Sequence, residues 1–84
     1  MLDPRVRRVV GGASFAHLAT IGPDGSPHST PVHLGTHGDR LVFFTGPGMR
    51  KARNLRRDPR LALSIMPADN PFEPVLIRGR VDRG

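Results

Sequence analysis

The sequence predicts a small, mainly β protein, folded as an antiparallel barrel or open sheet with one helix inserted between two strands. The first observation is a series of five short apolar segments separated by glycine- and proline-rich turns, which is typical of all-β folds. The second is an internal segment, residues 49–57, with apolar residues at helical spacing. The third is the length of 84 residues, the size of one modest domain. We therefore predict a single domain over residues 1–84.

The chain begins with a predicted short helix over residues 3–11. Asp3 has a side chain that suits the N-cap, and Pro4 suits the first turn, where no backbone N–H is needed. Gly11 and Gly12 end the helix because glycine readily leaves helical geometry. The sheet is therefore expected to begin after residue 12.

Three strands are predicted in the first half of the sheet. They lie at residues 15–21, 27–34 and 40–45. The first two form a hairpin around the turn at residues 22–26, where Pro23 presets one backbone dihedral and Gly25 permits a positive φ. Another turn is predicted at residues 35–39, which include two glycines and an aspartate.

A helix at residues 49–57 separates the third predicted strand from the fourth. Met49, Ala52 and Leu55 recur every third residue, so they are expected to dock on the sheet while the basic residues point elsewhere. Two more strands are predicted at residues 61–66 and 75–81, joined by a loop at residues 67–74. The last strand has no successor to cover its edge, so we expect an incomplete barrel, truncated at the C-terminus or covered by a partner chain.

The charge of the chain is concentrated in one segment. The net charge is +6, and most of the excess lies within residues 50–60. Proteins that bind single-stranded nucleic acid usually add stacking aromatic residues to such charge, whereas this chain has four Phe and neither Tyr nor Trp. We therefore expect no nucleic-acid partner and keep a basic nucleic-acid-binding module as the least favoured hypothesis.

The composition does not favour a metal site, a secreted protein or a membrane protein. The chain has no cysteine, which excludes disulfides and thiolate metal sites. Its four histidines show no metal-binding spacing, and His28 and His33 are expected to face opposite sides of a strand. No apolar run resembles a secretory signal or a membrane span. We therefore predict a cytoplasmic protein with no metal site and no membrane partner.

Residues 45–58 read T-G-P-G-M-R-K-A-R-N-L-R-R-D and carry the strongest functional signal. They predict a strand end, a Gly-Pro-Gly turn and a helix that opens with Arg50 and Lys51. The N-terminus of a helix presents unpaired N–H groups and the positive end of the dipole, so it binds anions such as phosphate. Two cations there oppose the dipole unless an anion lies between them and the turn. The segment therefore predicts a ligand that bears phosphate.

Three stretches together resemble the split β-barrel flavoproteins, the group that includes pyridoxamine 5′-phosphate oxidase and the deazaflavin-dependent reductases. These stretches are F-A-H-L-A-T-I-G-P-D-G-S-P-H-S-T-P-V, T-G-P-G-M-R-K-A-R-N-L-R-R-D-P-R-L-A-L-S-I and I-R-G-R-V. The resemblance covers about residues 13–82, nearly the whole chain. It implies a split antiparallel β-barrel, and a homodimer with a flavin or deazaflavin at the subunit interface. In the family the barrel continues beyond the point where this chain stops.

The resemblance also implies where the cofactor is bound. The family's phosphate-binding Arg-Lys pair corresponds to Arg50 and Lys51, and the strand end that lines the cofactor corresponds to Phe44 and Thr45. The segment beside the ring corresponds to Ser29, Thr30, Pro31 and Val32. Backbone groups there can hydrogen-bond the edge of the ring, which explains why a proline is tolerated.

One departure from the family pattern bears on the cofactor. The oxidases place a second phosphate-binding Arg on the second strand, and the matching position here is assigned to Ser29. This argues against pyridoxamine phosphate as substrate and favours coenzyme F-420 over FMN. Coenzyme F-420 carries a phosphodiester and a polyglutamate tail, which an Arg-rich helix suits.

The function predicted is an oxidoreductase that transfers a hydride between a bound flavin or deazaflavin and a small organic substrate. No residue resembles a nucleophile paired with a base, as expected where the cofactor carries the chemistry. A non-catalytic flavin- or haem-binding split barrel accounts for the same residues and stays open as the alternative. No catalytic residue is assigned.

Overall fold

The computed structural model describes residues 3–12, 15–43, 45–46, 48–67 and 74–82. Within these residues, two helices and five strands follow one another as α1 (Pro4–Gly12), β1 (Phe15–Ile21), β2 (Pro27–His37), β3 (Arg40–Phe43), α2 (Arg50–Arg57), β4 (Arg60–Ile65) and β5 (Val75–Arg80). This order agrees with the sequence prediction for every helix and strand, with shifts at several ends. Neither helix is long and apolar enough to cross a membrane.

The five strands form one antiparallel sheet in the order β3-β2-β1-β4-β5. The sheet curls so that its outer strands, β3 and β5, line opposite sides of a cavity of about 440 Å³. The prediction of a mainly β, split antiparallel barrel with one internal helix is therefore confirmed.

Strand alternation separates a core face from an outer face. On β1 the buried residues are Ala16, Leu18 and Thr20, while His17 between them is exposed. The apolar core combines this face with both helices and contains Val9, Val10, Ala16, Leu18, Val32, Leu55, Leu63, Ile65 and Val75. Burial of these side chains is the main stabilising term for a protein of this size.

The first helix is capped as predicted and is tied to the sheet. The Asp3 carboxylate accepts the N–H of Arg5 at 2.8 Å, which satisfies one unpaired donor of the first turn. The side chain of Arg7 donates to the carbonyl of Gly38 at 2.9 Å and lies 3.2 Å from the carboxylate of Asp39. These contacts attach α1 to the turn between β2 and β3.

The first hairpin turn is confirmed, whereas the second is shorter than predicted. Gly25 has φ of +86°, and the N–H of Gly22 donates to the carbonyl of Ser26 at 2.8 Å. The predicted turn at residues 35–39 is wrong because residues 35–37 continue β2 and pair with β3. Only Gly38 and Asp39 turn the chain, with φ of +61° at Gly38.

The orientation of α2 also differs from the prediction. Met49 was expected to dock on the sheet, but it is 51% exposed and precedes the helix as its N-cap residue. The buried face instead combines Ala52 and Leu55 with Lys51 and Asn54. The predicted loop at residues 67–74 lies mostly outside the described residues, as does Phe44.

Candidate functional site

The start of α2 lacks a side chain that caps it. A turn precedes the helix, in which the N–H of Met49 donates to the carbonyl of Gly46 at 3.1 Å. Met49 makes no side-chain cap hydrogen bond, and the first turn contains no acidic residue. The methionine side chain has no oxygen to accept the first N–H groups, so within the described residues these donors remain available to an anion.

The two predicted phosphate-binding residues differ in exposure. Arg50 is exposed, whereas Lys51 is only 8% exposed and has no hydrogen bond or ion pair with the described residues. The low exposure means that the aliphatic stem is packed against the fold, which restrains the ammonium group near the start of α2. Because that group has no partner in the described part of the chain, Lys51 can bind an anionic group there.

The segment predicted to lie beside the ring presents two faces and one open edge. Thr30 and Val32 face the core, whereas Ser29 and Pro31 are exposed on the opposite face. Residues 27–33 pair with β1 on one side, and the described part of β3 pairs only with residues 34–37. The described part of the chain thus has no strand on the other side, where backbone groups could meet a planar ligand. A strand proline is tolerated at such an edge.

Thr45 lines an apolar slot. It follows β3 and lines a cavity of about 290 Å³ together with Ala52 and Leu55 of α2. This cavity shares Leu41, Val42 and Phe43 of β3 with the larger cavity between β3 and β5. We call these two neighbouring cavities the apolar slot. Its size is within the range of small-molecule sites, which begins at about 300 Å³.

A second, polar depression lies between α2 and the turn that joins β1 to β2. We call it the basic cleft; it measures about 690 Å³ and is lined by Gly22, Pro23, Asp24, Ser26, Pro27, His28, Arg50, Arg53, Asn54 and Arg57. Sequence reasoning predicted only Arg50 among the ligand-binding residues here. The helical spacing of Arg50, Arg53 and Arg57 was a usable signal, because residues three and four apart share a helix face. Nothing in the sequence indicated that His28 lies beside them.

A buried hydrogen-bond network fixes α2 against β1. The side-chain amide of Asn54 donates to the hydroxyl of Thr20 at 3.0 Å, and both residues are 2% exposed. Arg57 donates to the carbonyl of Ile21 at 2.8 Å and to the amide oxygen of Asn54 at 3.2 Å. Because the amide is held from both sides, the second half of α2 is fixed relative to the sheet.

The helix end is defined by an ion pair. The carboxylate of Asp58 accepts the backbone N–H of Arg60 at 3.2 Å and pairs with its guanidinium at 2.7 Å. The side-chain hydrogen bond from Arg60, followed by its backbone N–H, lowers the pKa of Asp58 to about 2. In the basic cleft, hydrogen bonds from Ser26 lower the pKa of Asp24, so that carboxyl is ionised at neutral pH.

The structure does not gather all predicted site residues in one pocket. Thr45 lines the apolar slot and Arg50 lines the basic cleft, and these two cavities are lined by different residues of α2. Ser29 lies in a separate outer-face depression with His17 and Arg78. Among the described residues no group of three or more potential metal ligands is found.

A curled antiparallel half-barrel with a helix inserted after its edge strand defines a split-barrel fold. Comparison with known proteins extends this description. A family model described as pyridoxamine 5′-phosphate oxidase matches residues 2–83. The chain therefore belongs to the pyridoxamine 5′-phosphate oxidase family.

Individual relatives agree with this assignment. The chain is 32% identical to a pyridoxine/pyridoxamine 5′-phosphate oxidase of Mannheimia succiniciproducens, over 98% of this chain and 39% of the oxidase. It superposes on an F-420 reductase with a TM-score of 0.82 and 30% identity, covering 90% of this chain and 60% of the reductase. A haem-binding protein from Mycobacterium smegmatis shares the fold, with a TM-score of 0.82 and 24% identity. The superposition covers 100% of this chain and 38% of the haem-binding protein.

Proposed function

We propose that this chain forms the cofactor-binding part of a flavin- or deazaflavin-dependent oxidoreductase, with coenzyme F-420 preferred over FMN. The observation that carries the proposal is the uncapped start of α2, where the buried Lys51 and the exposed Arg50 stand beside unpaired N–H groups. The family match and the F-420 reductase neighbour support the same cofactor class. The chain spans about two fifths of the length of the oxidase named above, so activity, substrate and partners are proposals.

The residues present fit such a cofactor in three ways. The start of α2 would hold the phosphate, with Arg50 and Lys51 donating charge-assisted hydrogen bonds. The open edge of β2 at residues 29–32 would accept the edge of the ring through backbone groups. The apolar slot at Thr45 would exclude water from the ring. When bound, the cofactor supplies the hydride chemistry.

The assembly and substrate follow from the same proposal. We expect a homodimer, a small-molecule substrate and a cytoplasmic location. The basic side chains Arg50, Arg53 and Arg57 line a concave cleft, which favours a compact anion over the extended backbone of a nucleic acid.

A fluorescence titration of the purified chain with coenzyme F-420 and with FMN tests the proposal. We expect saturable binding of coenzyme F-420 and weaker binding of FMN. A chain that binds neither compound, while circular dichroism shows it folded, contradicts the proposed function. Titration with haem, followed by absorbance, and a turnover assay separate the non-catalytic alternative from an oxidoreductase.

A further inference from the structure

The outer face of the sheet carries a depression of its own. We call it the outer-face depression; it measures about 380 Å³ and crosses the four strands β2, β1, β4 and β5. Small-molecule sites range from about 300 to about 1,000 Å³, so the depression is large enough for a small ligand. Of the described residues that were predicted to contact the cofactor, Ser29 alone lines it.

Two alanines form the floor of the outer-face depression. The register places Ser29, Ala19, Ala62 and Arg78 in one row across the four strands. Ala19 and Ala62 point away from the core, because buried residues alternate with them along β1 and β4. With strands about 4.8 Å apart, the row spans about 14 Å, and only methyl groups fill its centre. The strand register therefore builds the depression into the sheet.

Four polar side chains border this floor, and no acidic residue is among the described residues that line it. The four are His17, Ser29, Ser64 and Arg78. None of these side chains makes a hydrogen bond or ion pair with the described part of the chain. The guanidinium of Arg78 has five N–H donors and cannot accept, so an anionic oxygen is its strongest partner. The border thus offers a permanent positive charge and donors, with no negative charge to compete with a ligand.

Leu76 adds an apolar wall beside Arg78. It pairs with Ser64 across β4 and β5, one row away from the alanines, and its side chain is 73% exposed. Covering exposed apolar surface is favourable, so a ligand gains by placing an apolar body against Leu76 and the alanine methyl groups. The same ligand needs an anionic group within reach of Arg78. These two requirements define its chemical class.

We propose that the outer-face depression binds a small organic carboxylate with an apolar body. Arg78 pairs with the carboxylate, while His17 and the two serines donate hydrogen bonds to its oxygens. The volume of about 380 Å³ equals that of about twelve waters at about 30 Å³ each, which suits a ligand of about ten heavy atoms. The site goes beyond the proposed function, because the proposed cofactor site uses the start of α2, the apolar slot and the edge of β2.

NMR titrations of the ¹⁵N-labelled whole chain with benzoate, benzamide and benzylammonium test the proposal. The three probes share a ring and are similar in size, but they differ in charge. We expect benzoate to bind with a Kd of about 1 mM and to shift the backbone amides of Ala19 and Ala62. Benzamide should bind about tenfold more weakly, and benzylammonium should not bind.

Variants separate the charge of the site from its shape. Arg78→Gln removes the charge and should weaken benzoate binding by about tenfold, whereas Arg8→Gln, at an exposed position of α1, should change it by less than about twofold. Ala62→Leu fills the floor and should abolish binding of benzoate and benzamide, whereas Ala62→Ser keeps the floor open and should preserve it. Ala19→Leu fills the same floor from β1 and replaces Ala62→Leu if urea unfolding shows that variant to be unfolded.

Several results would overturn the proposal. Shifts confined to residues 50–57 would place the anion at α2, and equal losses for Arg78→Gln and Arg8→Gln would indicate a diffuse electrostatic effect. A folded chain in which no amide of the depression shifts, as when a second copy covers this face, would show that no ligand site exists there. None of these titrations contains a cofactor, so this proposal and the proposed function fail or stand separately.

Discussion

At the scale of single residues, Lys51 gives the sharpest test of the phosphate site. Lys51→Met keeps most of the buried aliphatic stem and removes the charge. A charge-assisted hydrogen bond contributes about 1.5–3 kcal/mol, so the affinity for coenzyme F-420 should fall by about tenfold or more. Fluorescence titration measures the change.

The control for Lys51 should remove a positive charge elsewhere. Arg8→Ala removes one from an exposed position of α1, and we expect it to change the affinity by less than about twofold. Arg57 is a poorer control because it lines the basic cleft and hydrogen-bonds Ile21. Equal losses for Lys51→Met and Arg8→Ala would indicate a diffuse electrostatic effect and contradict a localised phosphate contact.

Asp58 predicts a pH dependence of stability. Its pKa in the folded chain is about 2, below the usual value of about 3.9, because Arg60 hydrogen-bonds the ionised form. A lowered pKa means that Asp58 stabilises the fold above pH 4 and that this contribution is lost as pH falls from about 4 to 2. Urea midpoints of the parent and Asp58→Asn should therefore differ at pH 6 and converge near pH 2. A difference that stays constant over this range would contradict the assignment.

At the scale of elements, the contact between Asn54 and Thr20 should determine how firmly α2 is held. Asn54→Leu leaves the buried Thr20 hydroxyl without its partner, which should lower the free energy of unfolding by about 1–3 kcal/mol. Thr20→Val removes the other partner, and the double variant should be less unstable than the sum of the two changes. Urea unfolding of the four proteins measures this coupling. Additive losses would show that the hydrogen bond contributes little.

The sequence predicted the existence of α2 but not its rotation. The basic residues were predicted to point away from the sheet, whereas the helix buries Lys51 beside Ala52 and Leu55. A helical wheel could not reveal this, because Asn54 is paired by Thr20, a residue 34 positions earlier. Likewise, β2 extends to His37 because pairing with β3 outweighs the turn preference of Gly35. Local propensity predicts these elements, and long-range partners fix their ends and faces.

In the basic cleft, too, the sequence predicted the residues that are local in sequence and missed one that is brought in by long-range packing. Arg50 and Lys51 were predicted from the helix start and the family pattern, because both features are local in sequence. His28 was not predicted as a site residue. It lies in the same cleft as Arg53 and Arg57 because β2, α2 and the turn at residues 22–26 come together in the folded chain.

At the scale of the whole molecule, we predict a homodimer. Phe15, Met66 and Leu76 are 56%, 60% and 73% exposed, which is unusual for large apolar side chains that lie close to one sheet. A second copy would cover such surface and complete a site between subunits. Sedimentation equilibrium at micromolar concentration should give twice the chain mass. A stable monomer would count decisively against the dimer.

The two outer strands of the sheet are bridged by Arg40 and Asp82, whose charged groups lie 2.7 Å apart and whose side chains are 65% and 61% exposed. An exposed ion pair contributes about 0–1 kcal/mol and weakens as salt screens it, with a Debye length of about 3 Å at 1 M. The seam between β3 and β5 is therefore sensitive to ionic strength, whereas the core around Leu18 is not. Raising the salt concentration should speed amide hydrogen exchange in β3 and β5 and leave that of β1 unchanged.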